Sequence, residues 1–257
     1  MFVDSVILVC YHEFTIIWEV CIVKLRVMSF NVQHFQNYIT RQIDYEMFAD
    51  TIRSLNPDIV GLNEVYSDGP RVDYVHQVQR VADALGYHFY FAQATVLHNG
   101  SHYGNGVLSR YPLMEAETIP IPDPENPAYD GYYETRCVLR ARVDIAGGLT
   151  VLISHFGLNP DEQENAVRTL ASNLGDRKTI AMGDFNVTPE NPVLTPIREK
   201  MRDTADLFAV PLLSFPSDEP NCKIDYVFCT SDFRIHHADI PALVVSDHRP
   251  YVVDLEI

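Results

Sequence analysis

The sequence predicts an α/β domain built on a mixed sheet. Three observations point there. Apolar strand-like runs alternate with amphipathic helical segments from Leu25 onward, one Gly-Gly hairpin makes part of the sheet antiparallel, and no repeat, low-complexity tract or linker divides the chain. With 257 residues, 47% of them apolar and 21% charged, a single core is within reach.

LRVMSFN reads as a first strand, DYEMFADTIRSL as an amphipathic helix, and DIVGLNE as a second strand, with Asn56-Pro57 breaking the chain between the last two. Val75, Val78, Val81, Ala82 and Leu85 share one helical face, which predicts a helix from about Asp73 to Leu85 ended by Gly86; YHFYFAQ then returns as a strand. GNGVLSR, ETRCVLRARVDI and LTVLISH follow as strands, the last two joined through Ala146-Gly147-Gly148. Asn159, Pro160, Asp161 and Glu162 carry the marks of a helix start: a cap, a first-turn proline and acids at the positive end of the dipole. That helix should run to about Asn173, and KTIAMGD, KIDYVFC, FRIHHADI and YVVDLEI supply later strands. The proline-rich segments TIPIPDPENPAYDGYYE and PLLSFPSDEPNC cannot be central strands, because proline donates nothing to a ladder; they read as long rim loops.

Nineteen Lys and Arg stand against 35 Asp and Glu, a formal charge of -16. No long-range basic field gathers a polyanion, which disfavours a nucleic-acid partner. Five cysteines form no C-x-x-C pair and fit neither a disulfide framework nor a zinc knuckle. The first 22 residues are apolar, but Asp4, Glu13 and Glu19 interrupt them, no uncharged run approaches the roughly 20 residues of a bilayer span, and no Lys or Arg forms a signal n-region. Residues 1–22 therefore read as an extension, either an extra element packed on the domain or an artefact of a gene start truly lying near Val23 or Met28, with the domain itself at 23–257. Reduced cysteines and the missing signal make the expected location cytoplasmic.

Polar residues recur where apolar runs end. Asn31 closes VMSFN, Glu64 closes IVGLNE, His155 closes VLISH, Asp184 and Asn186 follow TIAM, and Asp247-His248 precede PYVVDLEI. Strand ends in α/β sheets share a rim, where distant residues converge on a ligand. Mg²⁺ takes oxygen ligands, so Glu64 and Asp247 are natural carboxylate donors and Asn31 a neutral one, while zinc would call for more His or Cys. His248 and His155 then remain for proton transfer. Asp225 falls inside KIDYVF, where a carboxylate is costly unless paired; a His partner would satisfy it, so Asp225 is expected to orient His248.

These residues lie in NVQHF, IVGLNE, GNGVLSRYPL, ISHF, GDFN, KIDYVF and SDHRP, which in this order resemble the motifs of the endonuclease/exonuclease/phosphatase superfamily, the deoxyribonuclease I-like fold. The resemblance spans about Leu25 to Ile257. It implies a four-layer α/β/β/α sandwich of two mixed sheets and Mg²⁺-dependent cleavage of a phosphoester by water, with Mn²⁺ as a substitute. By the resemblance, Glu64 looks like the principal metal ligand with Asn31 and Asp247 beside it, and His248 like the imidazole that activates water or binds phosphate. Asp184 and Asn186 look like the pair that orients the nucleophile, His155 like the second imidazole, and Arg136 and Asn105 like phosphate contacts. Asn63 stands where many members carry Gln. Gln33 replaces an Asp of some repair members, which speaks against a second metal ligand and a repair endonuclease.

The acidic balance and the similarity to short bacterial phosphodiesterase-like and sphingomyelinase-like branches point to a small phosphodiester, a lipid head group or a phosphorylated metabolite. A nuclease acting on DNA or RNA is the alternative. A catalytically inactive scaffold of the same fold would be marked by a lost imidazole or carboxylate, and every expected position is filled. Tyr129, Tyr132 and Tyr133 would stack on a base or sugar, meet a membrane interface, or simply cover their loop.

Overall fold

In Lys24–Asn31 (β1), Leu25 and Val27 point one way and Met28 and Phe30 the other, and all four are buried, so this strand must be covered on both faces. The computed structural model describes residues 22–209 and 212–257 and supplies both covers. The strands that follow are β2 (Ile59–Ser67), β3 (His88–Val96), β4 (His102–Ser109), β5 (Leu113–Pro120), β6 (Cys137–Val143), β7 (Leu149–Ser154), β8 (Thr179–Asp184), β9 (Arg202–Asp203), β10 (Asp225–Cys229), β11 (Arg234–Asp239) and β12 (Tyr251–Glu256). One sheet has the order β11-β12-β1-β2-β4-β3 and the other β5-β6-β7-β8-β10-β9. The β1/β2 and β7/β8 pairs are parallel and the other pairs antiparallel, so both sheets are mixed.

The longer helices that flank them are α1 (Tyr45–Leu55), α2 (Gln77–Leu85) and α3 (Pro160–Ser172), with a single turn at Thr195–Arg198 beside α3. Leu25, Val27, Ile59, Val107, Leu139, Val151, Ile153, Met182 and Val253 fill the space between the sheets. Met28, Phe30, Val60 and Leu62 pack outward against Phe48, Ile52, Val78 and Val81 of α1 and α2. Val138, Leu152, Ala181 and Phe228 pack against Val167 and Leu170 of α3 on the other outer face. The result is the α/β/β/α sandwich, each buried large apolar side chain contributing about 1.5–3 kcal/mol of transfer free energy.

Caps fall where the sequence puts them. Asp44 accepts from Met47 N, Asn56 and Gly86 end α1 and α2 in the left-handed region, and Glu162 accepts from the backbone of Asn159. The second helix starts at Gln77, four residues later than the apolar face alone implies. Asp73 and Tyr74 have φ of 49° and 59°, which is incompatible with a helical turn, and His76 caps the helix that follows. Thr118, Ile119 and Pro120 end the edge strand β5 rather than lying in a loop, an edge being where a strand tolerates proline. The expected extension at residues 1–22 lies outside the described residues apart from Ile22. No helix among the described residues is long and apolar enough to cross a membrane. Cys137, Cys222 and Cys229 are free thiols.

Gly183 has φ of 142°, and a Cβ there would lie 1.9 Å from the Ser154 carbonyl oxygen on the neighbouring strand. Only glycine lets β8 run this close to β7 just before Asp184. Gly183→Ala is expected to cost about 3 kcal/mol or more, from backbone strain and the clash together. Urea denaturation checks this; an unchanged midpoint would contradict the constraint.

Candidate active site

Both parallel pairs end at the same edge of the sandwich. β1 ends on Asn31, β7 is followed at once by His155, and β8 ends on Asp184. β10 runs antiparallel to β8 with Asp225 directly opposite Asp184, so two carboxylates become neighbours. β12 runs antiparallel to β1 with Tyr251 opposite Ser29, which brings the preceding Asp247 and His248 to the same edge. Arg136 arrives just before β6. Glu64 does not end its strand: β2 continues to Ser67, its pairing with β4 shifts register between Leu62 and Val65, and Glu64 takes φ of 57° there. That bulge re-aims its carboxylate into the site.

Asp184 is the hub. Its Oδ2 accepts from Asn31 Nδ2 at 3.0 Å and lies 3.5 Å from Nε2 of both His155 and His248, while Oδ1 accepts from the Asn186 backbone at 3.0 Å. His248 Nδ1 bonds Asp225 Oδ2 at 2.8 Å. On the other side, Arg136 Nη1 donates to His155 Nδ1 at 2.8 Å and to the Tyr103 hydroxyl at 3.2 Å, and Nη2 pairs with Glu134 at 2.8 Å. Asn186 Nδ2 donates to the Phe156 carbonyl at 3.0 Å and lies 3.1 Å from His155 Nε2. Arg136, His155, Asp184, Asp225 and His248 are buried, whereas Glu64, Asn186, Asp247, Gln33 and His34 are half-buried and form the side facing solvent.

The two imidazoles are pushed apart electrostatically. Burial opposes the His248 imidazolium, but Asp225, Asp184 and Asp247 more than offset it and raise the group to about 10. Burial and the Arg136 charge push His155 well below its ordinary value. Because guanidinium only donates and makes the shorter contact, His155 Nδ1 accepts and the ring's single proton sits on Nε2, aimed toward Asp184; the Asn186 amide then donates to the Phe156 carbonyl alone, and its 3.1 Å approach to Nε2 is a contact between two donors rather than a hydrogen bond. Burial lifts Asp184 above the usual carboxylate range. Burial also raises Glu64, and the Asp247 charge adds to this.

Glu64 is thus a carboxylate short of positive charge. Asn31 Nδ2 donates to its Oε1 at 3.0 Å, Gln33 Nε2 fixes Asp247 Oδ2 at 2.8 Å, and Gln33 Oε1 is buried with no hydrogen-bond partner among the described residues. Such an oxygen-rich set with an orphaned acceptor fits a hard divalent cation. By spacing alone, Asp184, Asp225 and His248 also form a candidate metal site, their ligand atoms all within 4.8 Å of one another. The imidazolium already supplies positive charge to that group.

Asn31, Glu64, His155, Asp184, Asn186, Asp225, Asp247, His248 and Arg136 are brought to one edge. Asn105 stands behind them: its Oδ1 accepts from Asn63 Nδ2 at 2.8 Å and its Nδ2 donates to the Cys137 carbonyl at 3.0 Å. Asn63, read only as a substituted neighbour of Glu64, is a floor residue that joins the sheets by accepting from Asp184 N at 2.9 Å and donating to the Ser154 carbonyl at 3.2 Å. Gln33, His34, Tyr103 and Glu134 also belong to the site. For Gln33 and His34 the only sequence signal is their place in NVQHF; Tyr103 and Glu134 have none. Tyr129 and Tyr132 are exposed, whereas the Tyr133 hydroxyl is tied to Asp161 at 2.8 Å.

The fold is an α/β/β/α sandwich with a cluster of imidazole, carboxylate and amide side chains gathered at one edge, and sequence comparison supplies its class. The chain belongs to the Endonuclease/Exonuclease/phosphatase family, whose profile matches residues 28–248. The uncharacterized protein YbhP of Escherichia coli is 23% identical over 259 residues, covering 91% of this chain and 97% of that protein. An endonuclease/exonuclease/phosphatase from Beutenbergia cavernae superposes with a TM-score of 0.74 at 25% identity, over 91% of this chain and 72% of its own. The mannosyl-6-phosphatase Bt3783 of Bacteroides thetaiotaomicron shares the fold with a TM-score of 0.70 at 18% identity, over 90% of this chain and 99% of its own. Members of the family are phosphatases and nucleases that generally use divalent metals, and this chain is a phosphoesterase of that superfamily.

The raised His248 pKa carries a stability signature. A group raised from 6.5 to about 10 on folding stabilises the metal-free protein fully below about pH 6.5 and loses that contribution as pH rises through about 10. The stability gap between the native chain and His248→Asn should therefore narrow from pH 6 to pH 10 in urea titrations. A gap that widens with pH would contradict the assignment.

Proposed function

We propose that this phosphoesterase is a Mg²⁺-dependent hydrolase of a small phosphodiester or lipid head group, with Mn²⁺ able to substitute. The observation that supports it most is Asp184 Oδ2 standing 3.5 Å from Nε2 of both imidazoles, one cationic and one neutral. Glu64, Asp247 and Asn31 would hold the cation, which when bound neutralises phosphate charge and polarises the phosphorus centre.

In this reading the His248 imidazolium, held by Asp225, binds a phosphoryl oxygen through Nε2. His155 donates its Nε2 proton as a hydrogen bond, and Arg136 fixes its tautomer and adds positive potential. Asn186 and Asp184 orient water in line with the leaving oxygen. As the water oxygen bonds phosphorus and the phosphorus–leaving-oxygen bond breaks, the water's proton passes to Asp184 Oδ2, and the leaving oxygen takes a proton from solvent. A carboxyl lifted toward neutrality suits that acceptor role better than an imidazole already carrying its proton. Asn105 acts by bracing Asn63 beneath Asp184, so the phosphate contacts fall to Arg136, His155, Asn186 and His248. The -16 net charge favours a small substrate over long nucleic acid.

The test compares bis(p-nitrophenyl) phosphate with p-nitrophenyl phosphate. Diester hydrolysis is expected with Mg²⁺, lost with EDTA, and lowered on the order of 10²- to 10⁴-fold in His248→Asn. Glu64→Gln should need far more Mg²⁺. Since Asp184 must be ionised to accept a proton, kcat/KM should rise with pH along a limb displaced above the usual carboxylate range. Near-normal turnover in His248→Asn or in EDTA would contradict the mechanism. Monoester-only cleavage would redirect the substrate to phosphorylated metabolites, and a steep loss of affinity with salt would mark a nuclease.

A further inference from the structure

Directly after β1, Gln33, His34 and Phe35 take φ of 41°, 63° and 59°. Three successive non-glycine residues in the left-handed region are costly, and such strain persists where the surroundings enforce it. Phe35 is fully buried against Phe48, which anchors the turn. The turn places the His34 ring on Tyr66, centroids 4.4 Å apart, and over Glu64: Nδ1 lies 3.1 Å from the Glu64 carbonyl oxygen and Nε2 3.6 Å from Oε2.

We infer that His34 is a nitrogen ligand of the divalent cation held at Glu64, an inference that rests on the metal-dependent reading above. A backbone carbonyl only accepts, so the Nδ1 facing it carries the proton, and in the neutral ring Nε2 presents its lone pair on the Glu64 side. A lone pair and a carboxylate oxygen repel each other unless positive charge lies between them. Fixing a ligating histidine through its other ring nitrogen is how metal sites orient their imidazoles. Here Glu64 does both jobs, its carbonyl setting the tautomer and its carboxylate sharing the ion. The 3.6 Å separation is somewhat longer than the about 3.0 Å between adjacent donors at right angles with bonds of about 2.1 Å, so the two groups would close by about half an ångström on one ion. An imidazole among oxygen ligands moves preference from Mg²⁺ toward Mn²⁺ and later transition ions.

The experiment titrates Mn²⁺ and Mg²⁺ into the full-length metal-free protein by calorimetry and records electron spin-echo modulation of bound Mn²⁺. The native chain should bind Mn²⁺ at least about tenfold more tightly than Mg²⁺ and show ¹⁴N modulation. In His34→Asn, a residue tolerated at positive φ, the modulation should vanish and Mn²⁺ affinity fall about tenfold or more, with Mg²⁺ affinity changing less than about threefold. His155→Asn should keep the modulation. His34→Gly, unstrained at that φ, gives a second variant should the first misfold. Modulation that survives in His34→Asn overturns the inference. So does a rise in Mn²⁺ affinity, which would show that His34 is instead an imidazolium competing with the cation. Mn²⁺ binding without ¹⁴N modulation in the native chain defeats the His34 inference alone, whereas binding of neither ion defeats the metal-dependent reading as well.

Discussion

Asp184 is a carboxylate with almost no exposure to water, pressed between two imidazoles and satisfied by two asparagine donors, and the rest of the site is arranged around keeping it there. Its position follows from β8 running close beside β7, which Gly183 alone permits. Its backbone N–H is held by Asn63 from the opposite sheet, so the site's floor is also a seam of the sandwich. A buried acid in such a place is tolerable only with charge or donors on every side. Those partners, His248, His155, Asn31 and Asn186, are the groups that a phosphoryl-transfer reaction can use.

The two histidines show how one edge gives identical side chains opposite jobs. His248 faces three carboxylates and holds its proton, whereas His155 backs onto the Arg136 guanidinium and gives it up. Separation of this kind is the environmental logic by which paired titratable groups divide the roles of charge donor and neutral hydrogen-bond donor. Glu64 sits apart from both, on the solvent side, with burial and Asp247 leaving it in need of a cation. The buried half of the site thus carries the paired charges, while Glu64 and Asp247 lie in the half facing water.

Much of this could be read from the chain. The continuous apolar run of DIVGLNE read as a strand, the alternation of strands and helices read as an α/β domain, and polar residues at the strand ends foretold a shared edge. What escaped was local backbone conformation. Glu64 looks like a strand terminus, but it occupies a bulge whose register shift depends on β4, a partner remote in sequence. His34 looks like an incidental loop histidine, because nothing in NVQHF announces three consecutive left-handed residues. Asn105 shares a motif with phosphate-binding positions, yet its amide is committed to Asn63 and Cys137, and only the packing of one sheet on the other reveals this. The strand β5 was hidden by its exposed, proline-ended edge, and the late start of α2 by two positive-φ residues that propensity does not register.

One edge of the sandwich holds a charged and a neutral imidazole against the same carboxylate. Nitrogen-15 NMR of the histidine rings in the metal-free protein at neutral pH tests this most directly. His248 is expected to be protonated on both ring nitrogens and His155 to carry a single proton, on Nε2. Two rings in the same protonation state, or a His155 proton on Nδ1, would contradict it.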